Sequence, residues 1–259
     1  MPAEPSALIA VVVGGALYAR GVLRLWHRAG REHVVHRWQA ACFGAGLLSI
    51  VVALESPLDN LSADLFALHM VQHLLLILVA GPLLVLGAPL APLLWALPKA
   101  SRRPLGSCCR RIALLARPAV AVGLHSLALW LWHLPALYDA ALRSRGLHVL
   151  EHVSFLATAA LLWWTVLHIA RRSQGLSILY LFGMALQSTL LGALLTFSAT
   201  PWYTAHLASA PAWGLTPLED QQFAGLIMWV PGAGVYLAAA LGLFAVWFRW
   251  SSNASASSS

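Results

Sequence analysis

Two histidines four residues apart, His69 and His73, lie inside an apolar run that is long enough to cross a bilayer, residues 64–89. Residues four apart lie on one face of a helix, about 40° apart around its axis. Polar side chains inside hydrocarbon are costly, so they usually face the interior of a helix bundle and often serve a function. We therefore expect these two imidazoles to meet other polar groups.

The composition is that of a membrane protein. Apolar residues make up 60% of the chain and charged residues 10%, and the mean hydropathy is +0.75. These values exclude an ordinary soluble domain. The net charge is +7, but the basic residues lie in short loops between apolar segments. They therefore indicate membrane topology and not a nucleic-acid partner.

Seven apolar segments approach the roughly 20 residues that a transmembrane helix needs. We predict an all-α, polytopic bundle with spans at about residues 6–24, 37–55, 64–89, 118–138, 147–170, 176–199 and 222–248. With the N-terminus outside and the C-terminus in the cytoplasm, 14 of the 16 Lys and Arg residues face the cytoplasm, in agreement with the positive-inside rule. Residues 1–250 then form a single transmembrane domain, and residues 251–259 form a disordered serine-rich tail.

This topology places further polar residues at the outer ends of spans four, five and seven. They are His133, Asp139, His148, Glu151, His152 and Asp220. At about 1.5 Å per residue, His73, His133 and His152 all lie about 10 Å below the outer loops. Imidazoles with carboxylates nearby are typical of metal sites. We predict that His69, His73, His133 and His152 bind a metal or handle protons, and that His148 either binds the metal or supports the ligands.

Other residues are candidates for supporting roles. Asp139, Glu151 and Asp220 are expected to lie around the ligands, where Asp139 and Asp220 would accept hydrogen bonds from imidazoles or, alternatively, cap helix ends. Met70 and Met228 are candidate thioether ligands for Cu(I), with ordinary packing as the alternative.

Four blocks of sequence, in this order, resemble one known family. They are SPLDNLSADLFALHMVQHLLLILVAGPLLVLGAP, LWLWHLPALYDAAL, HVLEHVSFLATAALLWW and LEDQQFAGLIMWVPG. The chain from about residue 36 to residue 248 resembles the CtaG family of polytopic bacterial cytochrome c oxidase assembly factors.

The resemblance implies a multi-pass protein of the bacterial plasma membrane that is needed to make active haem–copper oxidase and acts in copper insertion. Its partners would be an oxidase subunit, bound transiently, and an extracytoplasmic copper donor, in addition to membrane lipids. The family motifs fall on seven positions, namely His69, His73, His133, His148, His152, Asp139 and Asp220.

Three alternatives remain open at this stage. A membrane zinc hydrolase would use the same ligands to activate water against a lipid amide or ester, with Ser49 or Ser126 as candidate helpers. A haem protein would use one histidine from each of two spans as axial ligands. A scaffold for oxidase assembly would use the histidines only for structure. We expect a copper-binding assembly factor and not an enzyme.

Overall fold

The structure is almost entirely helical. The computed structural model describes residues 5–30, 33–112, 117–170 and 173–256. Helices account for 85% of it, and none of these residues lies in a strand. The predicted all-α class is therefore confirmed, whereas the sides of the membrane on which the termini lie stay a prediction.

Thirteen α-helices occur in the described residues. They are α1 (Pro5–Ala29), α2 (Arg37–Leu54), α3 (Pro57–Asp64), α4 (Phe66–Leu74), α5 (Gly81–Leu86), α6 (Leu90–Ala96), α7 (Lys99–Ile112), α8 (Pro118–Trp132), α9 (Pro135–Arg143), α10 (Arg145–Ala170), α11 (Gln174–Thr196), α12 (Pro217–Ile227) and α13 (Ala233–Ala256). Two π-helical segments, Leu75–Ala80 and Met228–Gly232, join α4 to α5 and α12 to α13. A 3₁₀ turn, Ala210–Trp213, lies in the long loop before α12.

Six stretches of the described chain are long and apolar enough to cross a membrane. They are Ala7–Arg28, Arg37–Leu54, Phe66–Leu86, Arg145–Ile169, Gln174–Thr196 and Pro217–Arg249. A seventh span exists only if α8 and α9 are taken together, and these two helices meet at an angle of 76°. The bundle therefore has six or seven spans, where the sequence predicts seven.

The fourth predicted span, residues 118–138, is not one straight helix. Helix α8 ends at Trp132, and Leu134 adopts an extended conformation before Pro135 begins α9. A proline disfavours helical geometry in the residue before it and has no N–H to continue the ladder. The bend therefore follows from Pro135, and it leaves His133 at the break between the two helices.

Two segments that the sequence predicts as loops are helical. Helix α3 follows Ser56, whose Oγ accepts a hydrogen bond from the Leu58 N–H at 3.1 Å, and Pro57 occupies the first helical position. Both features are typical of a helix start. Helix α7 forms in the basic segment after the third span. At the other end of the chain α13 continues to Ala256, residues 257–259 lie outside the described residues, and the division into a domain and a tail stays a prediction.

The third span is the most buried of the six candidate spans in the described chain, and it contains a π-helical turn just before Gly81 and Pro82. A proline ring clashes with the carbonyl four residues earlier and removes a hydrogen bond, so a wider turn relieves both problems. The second π-helical segment contains Pro231 for the same reason. Each irregular turn changes the rotation of the helix that follows, and the first begins two residues after His73.

Candidate metal centre

The position of the first histidine pair depends on how α4 begins. Leu65 precedes the helix and has no side chain that can cap it. The buried carboxylate of Asp220, on α12, accepts hydrogen bonds from the N–H groups of Phe66 at 2.7 Å and Ala67 at 2.9 Å. Asp220 therefore caps a neighbouring span across the bundle. Of the two roles expected from the sequence, the structure shows Asp220 capping a helix and not accepting a hydrogen bond from an imidazole.

Helix α4 presents His69 and His73 to the interior, and α10 presents three polar residues towards them. His148, Glu151 and His152 are spaced three and four residues apart, so they share one face of α10. All five side chains are buried, and the exposed fraction of Glu151 and of His69 is 0%. The two helices thus bring four imidazoles and one carboxylate together away from solvent.

The rings of this cluster are in contact distance of one another. The ring centroid of His69 lies 4.3 Å from that of His73 and 5.4 Å from that of His148. The centroid of His152 lies 5.4 Å from that of His73 and 4.2 Å from that of His148. Glu151 lies between the pairs, with Oε1 3.5 Å from His73 Nε2 and Oε2 3.9 Å from His69 Nε2.

The polar atoms of the cluster lack hydrogen-bond partners. No hydrogen-bond partner exists in the described chain for either ring nitrogen of His69 or His73, for Nε2 of His148 and His152, or for either carboxylate oxygen of Glu151. A buried polar atom without a partner costs about 1–3 kcal/mol. Such a concentration of unpaired groups is unusual, and a bound cation would satisfy them together.

The donor set fits a transition-metal ion. Ligand atoms of His69, His148 and His152 lie within 4.8 Å of one another, and so do those of His69, His73 and Glu151. Two ligand atoms about 2.1 Å from one ion are at most about 4.2 Å apart, so a small side-chain adjustment closes either group. Imidazole and carboxylate are ligands for copper, zinc and iron. The cluster thus offers two overlapping triads that share His69.

His133, predicted as a fifth ligand, lies beside the cluster and in neither triad. Its Nδ1 lies 2.7 Å from the carbonyl oxygen of Leu129, and its Nε2 lies 3.4 Å from Met70 Sδ. The centroid of its ring is 6.4 Å from that of His73. Helix α8 ends just before His133, so this residue lies at the break between α8 and α9 with its ring beside the sulfur.

Asp139 also has a role that differs from orienting an imidazole. Its carboxylate accepts hydrogen bonds from the backbone N–H groups of Thr204 and Ala205 and from the Thr204 hydroxyl, at 2.5–3.2 Å. These bonds fasten the long loop 200–216 to α9. Asp139 and Asp220 therefore accept hydrogen bonds from backbone N–H groups. Of the three acidic residues predicted to lie around the ligands, only Glu151 faces the imidazoles directly.

The family of the chain follows from a comparison with known proteins. Residues 16–250 match the profile of the cytochrome c oxidase caa3 assembly factor family, Caa3_CtaG. The chain belongs to the CtaG family. The match contains all four sequence blocks and starts some 20 residues earlier than the resemblance did, so it includes about half of the first span. No curated protein and no solved structure gives a significant match.

A loop of the CtaG chain covers one end of the cluster, which the sequence does not reveal. We call this loop, residues 200–216, the roof. The Tyr138 hydroxyl and His206 Nε2 lie 2.7 Å apart, and the Tyr203 hydroxyl donates a hydrogen bond to the carbonyl oxygen of His133 at 2.9 Å. Burial lowers the pKa of His206, which favours its neutral ring. These contacts place loop 200–216 over one end of the cluster. The signals in the sequence are the carboxylate of Asp139 and the lack of Lys and Arg in the loop, and neither signal specifies a partner.

One cavity gives access to the cluster of this CtaG chain. Its volume is about 230 Å³, and it is lined by Asp59, Ser62, Ala63, Leu142, Arg143, His148 and Ala205. His148 belongs both to this cavity and to a triad, and at 8% it has the largest exposed fraction of the five cluster residues. Among the five cluster residues, His148 is therefore the one that lines this cavity.

Proposed function

We propose that this CtaG chain binds a copper ion between α4 and α10 and aids its insertion into cytochrome c oxidase. The observation that carries the proposal is the convergence of unpaired, buried ligand atoms in one place. The ligands are His69, His73, His148, Glu151 and His152. Copper is cargo in this reading, because an assembly factor must release what it binds.

The arrangement suits a carrier better than a permanent store. Two overlapping triads give the ion alternative sets of ligands, so it can exchange one set for the other without leaving the cluster. His148 stands at the mouth of the access cavity and is the ligand through which the ion would arrive or leave. A site with access on one side and redundant ligands inside is expected to exchange metal more readily than a closed four-ligand site.

Glu151 has a larger part in this proposal than the sequence suggests. The sequence predicts a supporting role for it, but its oxygens face His69 and His73 and have no hydrogen-bond partner in the described chain. A buried carboxylate lowers the net charge of a site that holds a cation, so it strengthens binding and favours the ion over a neutral occupant. We therefore assign Glu151 as a ligand.

The serines that a hydrolase would need are occupied elsewhere. Ser49 Oγ donates a hydrogen bond to the Ala45 carbonyl oxygen on its own helix. Ser126 Oγ accepts a hydrogen bond from Gln187 Nε2. Since neither lies among the ligands, we favour metal transfer over hydrolysis, in keeping with the assembly-factor family.

The test is the metal content of purified protein after loading with copper. We expect about one or more copper ions per chain, and we expect the double variant His73→Ala with His152→Ala to lose the ion of the cluster. His168→Ala is the matched control, because His168 is an exposed histidine at the far end of α10 whose Nδ1 lies 2.7 Å from the Trp164 carbonyl oxygen. Unchanged copper in the double variant would show that the assignment is wrong.

The same samples separate the remaining alternatives. Retention of zinc in place of copper, together with cleavage of a lipid amide or ester, would favour the hydrolase. A strong visible absorption band would favour haem. A normal level of active oxidase in cells that carry the double variant would favour a scaffold whose histidines bind nothing.

A further inference from the structure

A second, smaller cavity is lined by His73. Its volume is about 20 Å³, which is room for one water-sized guest. Its walls include Met70, His73, His133, Met228 and Tyr236. The two cavities reach the cluster at different residues, since His148 lines the first and His73 lines the second.

The two methionines that line this cavity come from different helical elements. Met70 lies on α4, and Met228 begins the π-helical segment before α13. Both are buried. The carbonyl of Met228 accepts a hydrogen bond from Ser188 Oγ at 2.7 Å, which fixes the backbone of this turn. The imidazole of His133 lies beside one thioether, with Nε2 3.4 Å from Met70 Sδ, and Met228 lines the same cavity.

The chemistry of this cavity differs from that of the histidine cluster. The described residues that line it include no carboxylate, whereas Glu151 faces the cluster. Thioether sulfur is a soft ligand that favours Cu(I) over zinc and other divalent ions. A buried site without a negative charge also favours a monovalent ion, because the cost of burying an ion rises steeply with its charge.

We propose that Met70, Met228 and His133 form a second binding site that selects Cu(I). His73 is the wall that the two sites share, and neither of its ring nitrogens has a hydrogen-bond partner in the described chain. It can therefore serve as a ligand on either side. The proposal deepens the proposed function and rests on it for its biological meaning, with copper moving as Cu(I) from the cluster past His73 to the thioethers.

The test measures Cu(I) affinity of the full chain in detergent, without oxygen and against a Cu(I) chelator. Cys42, Cys108 and Cys109 are first replaced by serine, because thiolates would mask thioether binding. We expect Met70→Leu with Met228→Leu to weaken Cu(I) binding at one site by about tenfold or more. Zinc binding to the cluster should be unchanged.

Met184→Leu is the matched control. Met184 is as buried as Met70, but its sulfur lies near Ser126 and Gln187 and does not line the cavity. It should leave both affinities unchanged. X-ray absorption of the parent protein loaded with Cu(I) gives a measurement that needs no variant at the site. We expect sulfur among the nearest neighbours of copper in this thiol-free protein.

The outcomes separate this proposal from the proposed function. Glu151→Gln should weaken zinc and copper binding at the cluster and leave the thioether site intact. If the parent protein binds Cu(I) through sulfur while the cluster binds nothing, the thioether site stands and the proposed function fails. The thioether site itself is wrong if the double methionine variant binds Cu(I) as the parent does, or if copper has only nitrogen and oxygen neighbours.

Discussion

Two buried histidines of this protein, His125 and His69, have opposite surroundings. His125 lies deep in α8, with Nδ1 2.9 Å from the Thr158 hydroxyl and Nε2 3.4 Å from the Tyr236 hydroxyl. His69 is equally buried, and neither of its nitrogens has a hydrogen-bond partner in the described chain. The residue type and the burial are the same. What distinguishes a structural histidine from a candidate ligand here is whether its nitrogens are satisfied by the protein itself.

The same contrast holds for two buried carboxylates. The side chains of Asp220 and Glu151 both have an exposed fraction of 0%. Asp220 accepts two backbone hydrogen bonds, whereas Glu151 accepts none within the described residues. We infer that Asp220 contributes to the stability of the fold and that Glu151 is kept for a ligand. The comparison leads to three predictions, in order of decreasing effect.

The largest effect on stability is expected at Asp220. Asp220→Ala leaves the N–H groups of Phe66 and Ala67 without an acceptor, and each hydrogen bond to a charged group contributes about 1.5–3 kcal/mol. We expect the free energy of unfolding of the metal-free protein to fall by about 3–5 kcal/mol. Glu151→Gln should change it by less than about 1 kcal/mol, because no hydrogen bond is lost.

Denaturation of the two variants in the same detergent provides the measurement for this pair. A large loss of stability in Glu151→Gln without metal would mean that its carboxylate has a structural partner, and the contrast with Asp220 would fail.

The histidine pair should give effects of opposite sign. In the metal-free protein His125→Leu leaves the Thr158 and Tyr236 hydroxyls with fewer partners, and we expect a loss of about 1–3 kcal/mol. His69→Leu removes unsatisfied nitrogens and replaces them by an apolar side chain, so we expect no loss or a gain of about 1 kcal/mol. Thermal unfolding of both variants tests this prediction.

Addition of copper should reverse the order of these two variants. Copper should stabilise His125→Leu as it stabilises the parent protein, because a ligand that binds only the folded state raises stability. It should stabilise His69→Leu less. Equal stabilisation of the two variants by copper would show that His69 is not a ligand.

The smallest effect is expected in the roof. Tyr203→Phe removes one hydrogen bond, that to the His133 carbonyl, and should reduce stability by about 0.5–1.5 kcal/mol. Tyr18→Phe is the matched control, because the Tyr18 hydroxyl donates to the Gly87 carbonyl at 2.7 Å, away from the cluster. Both variants should lose similar stability. Only Tyr203→Phe should change the rate of copper release, measured with a chelator. Equal release rates in the two variants would show that the roof does not affect metal exchange.

Much of the architecture could be predicted from the sequence because hydropathy and spacing are local properties. Apolar segments of about 20 residues predict spans, and the pairs His69 with His73 and His148 with His152 predict shared helix faces. The family resemblance is confirmed by the match over residues 16–250. The bend at Pro135 was not predicted, because a proline in a span is compatible with a mild kink as well as with a complete break.

The sequence by itself determined that the chain is helical, that it belongs in a membrane and that its histidines occupy a few helix faces. Only the tertiary structure decided which faces meet. In the structure Glu151 lies between His69 and His73, His133 lies beside Met70, and Asp220 caps α4 from another span. The physical reason is that spacing along a helix specifies the direction of a side chain relative to its own axis. The rotation of one helix against the next depends on bends, π-helical turns and packing at residues far apart in the chain.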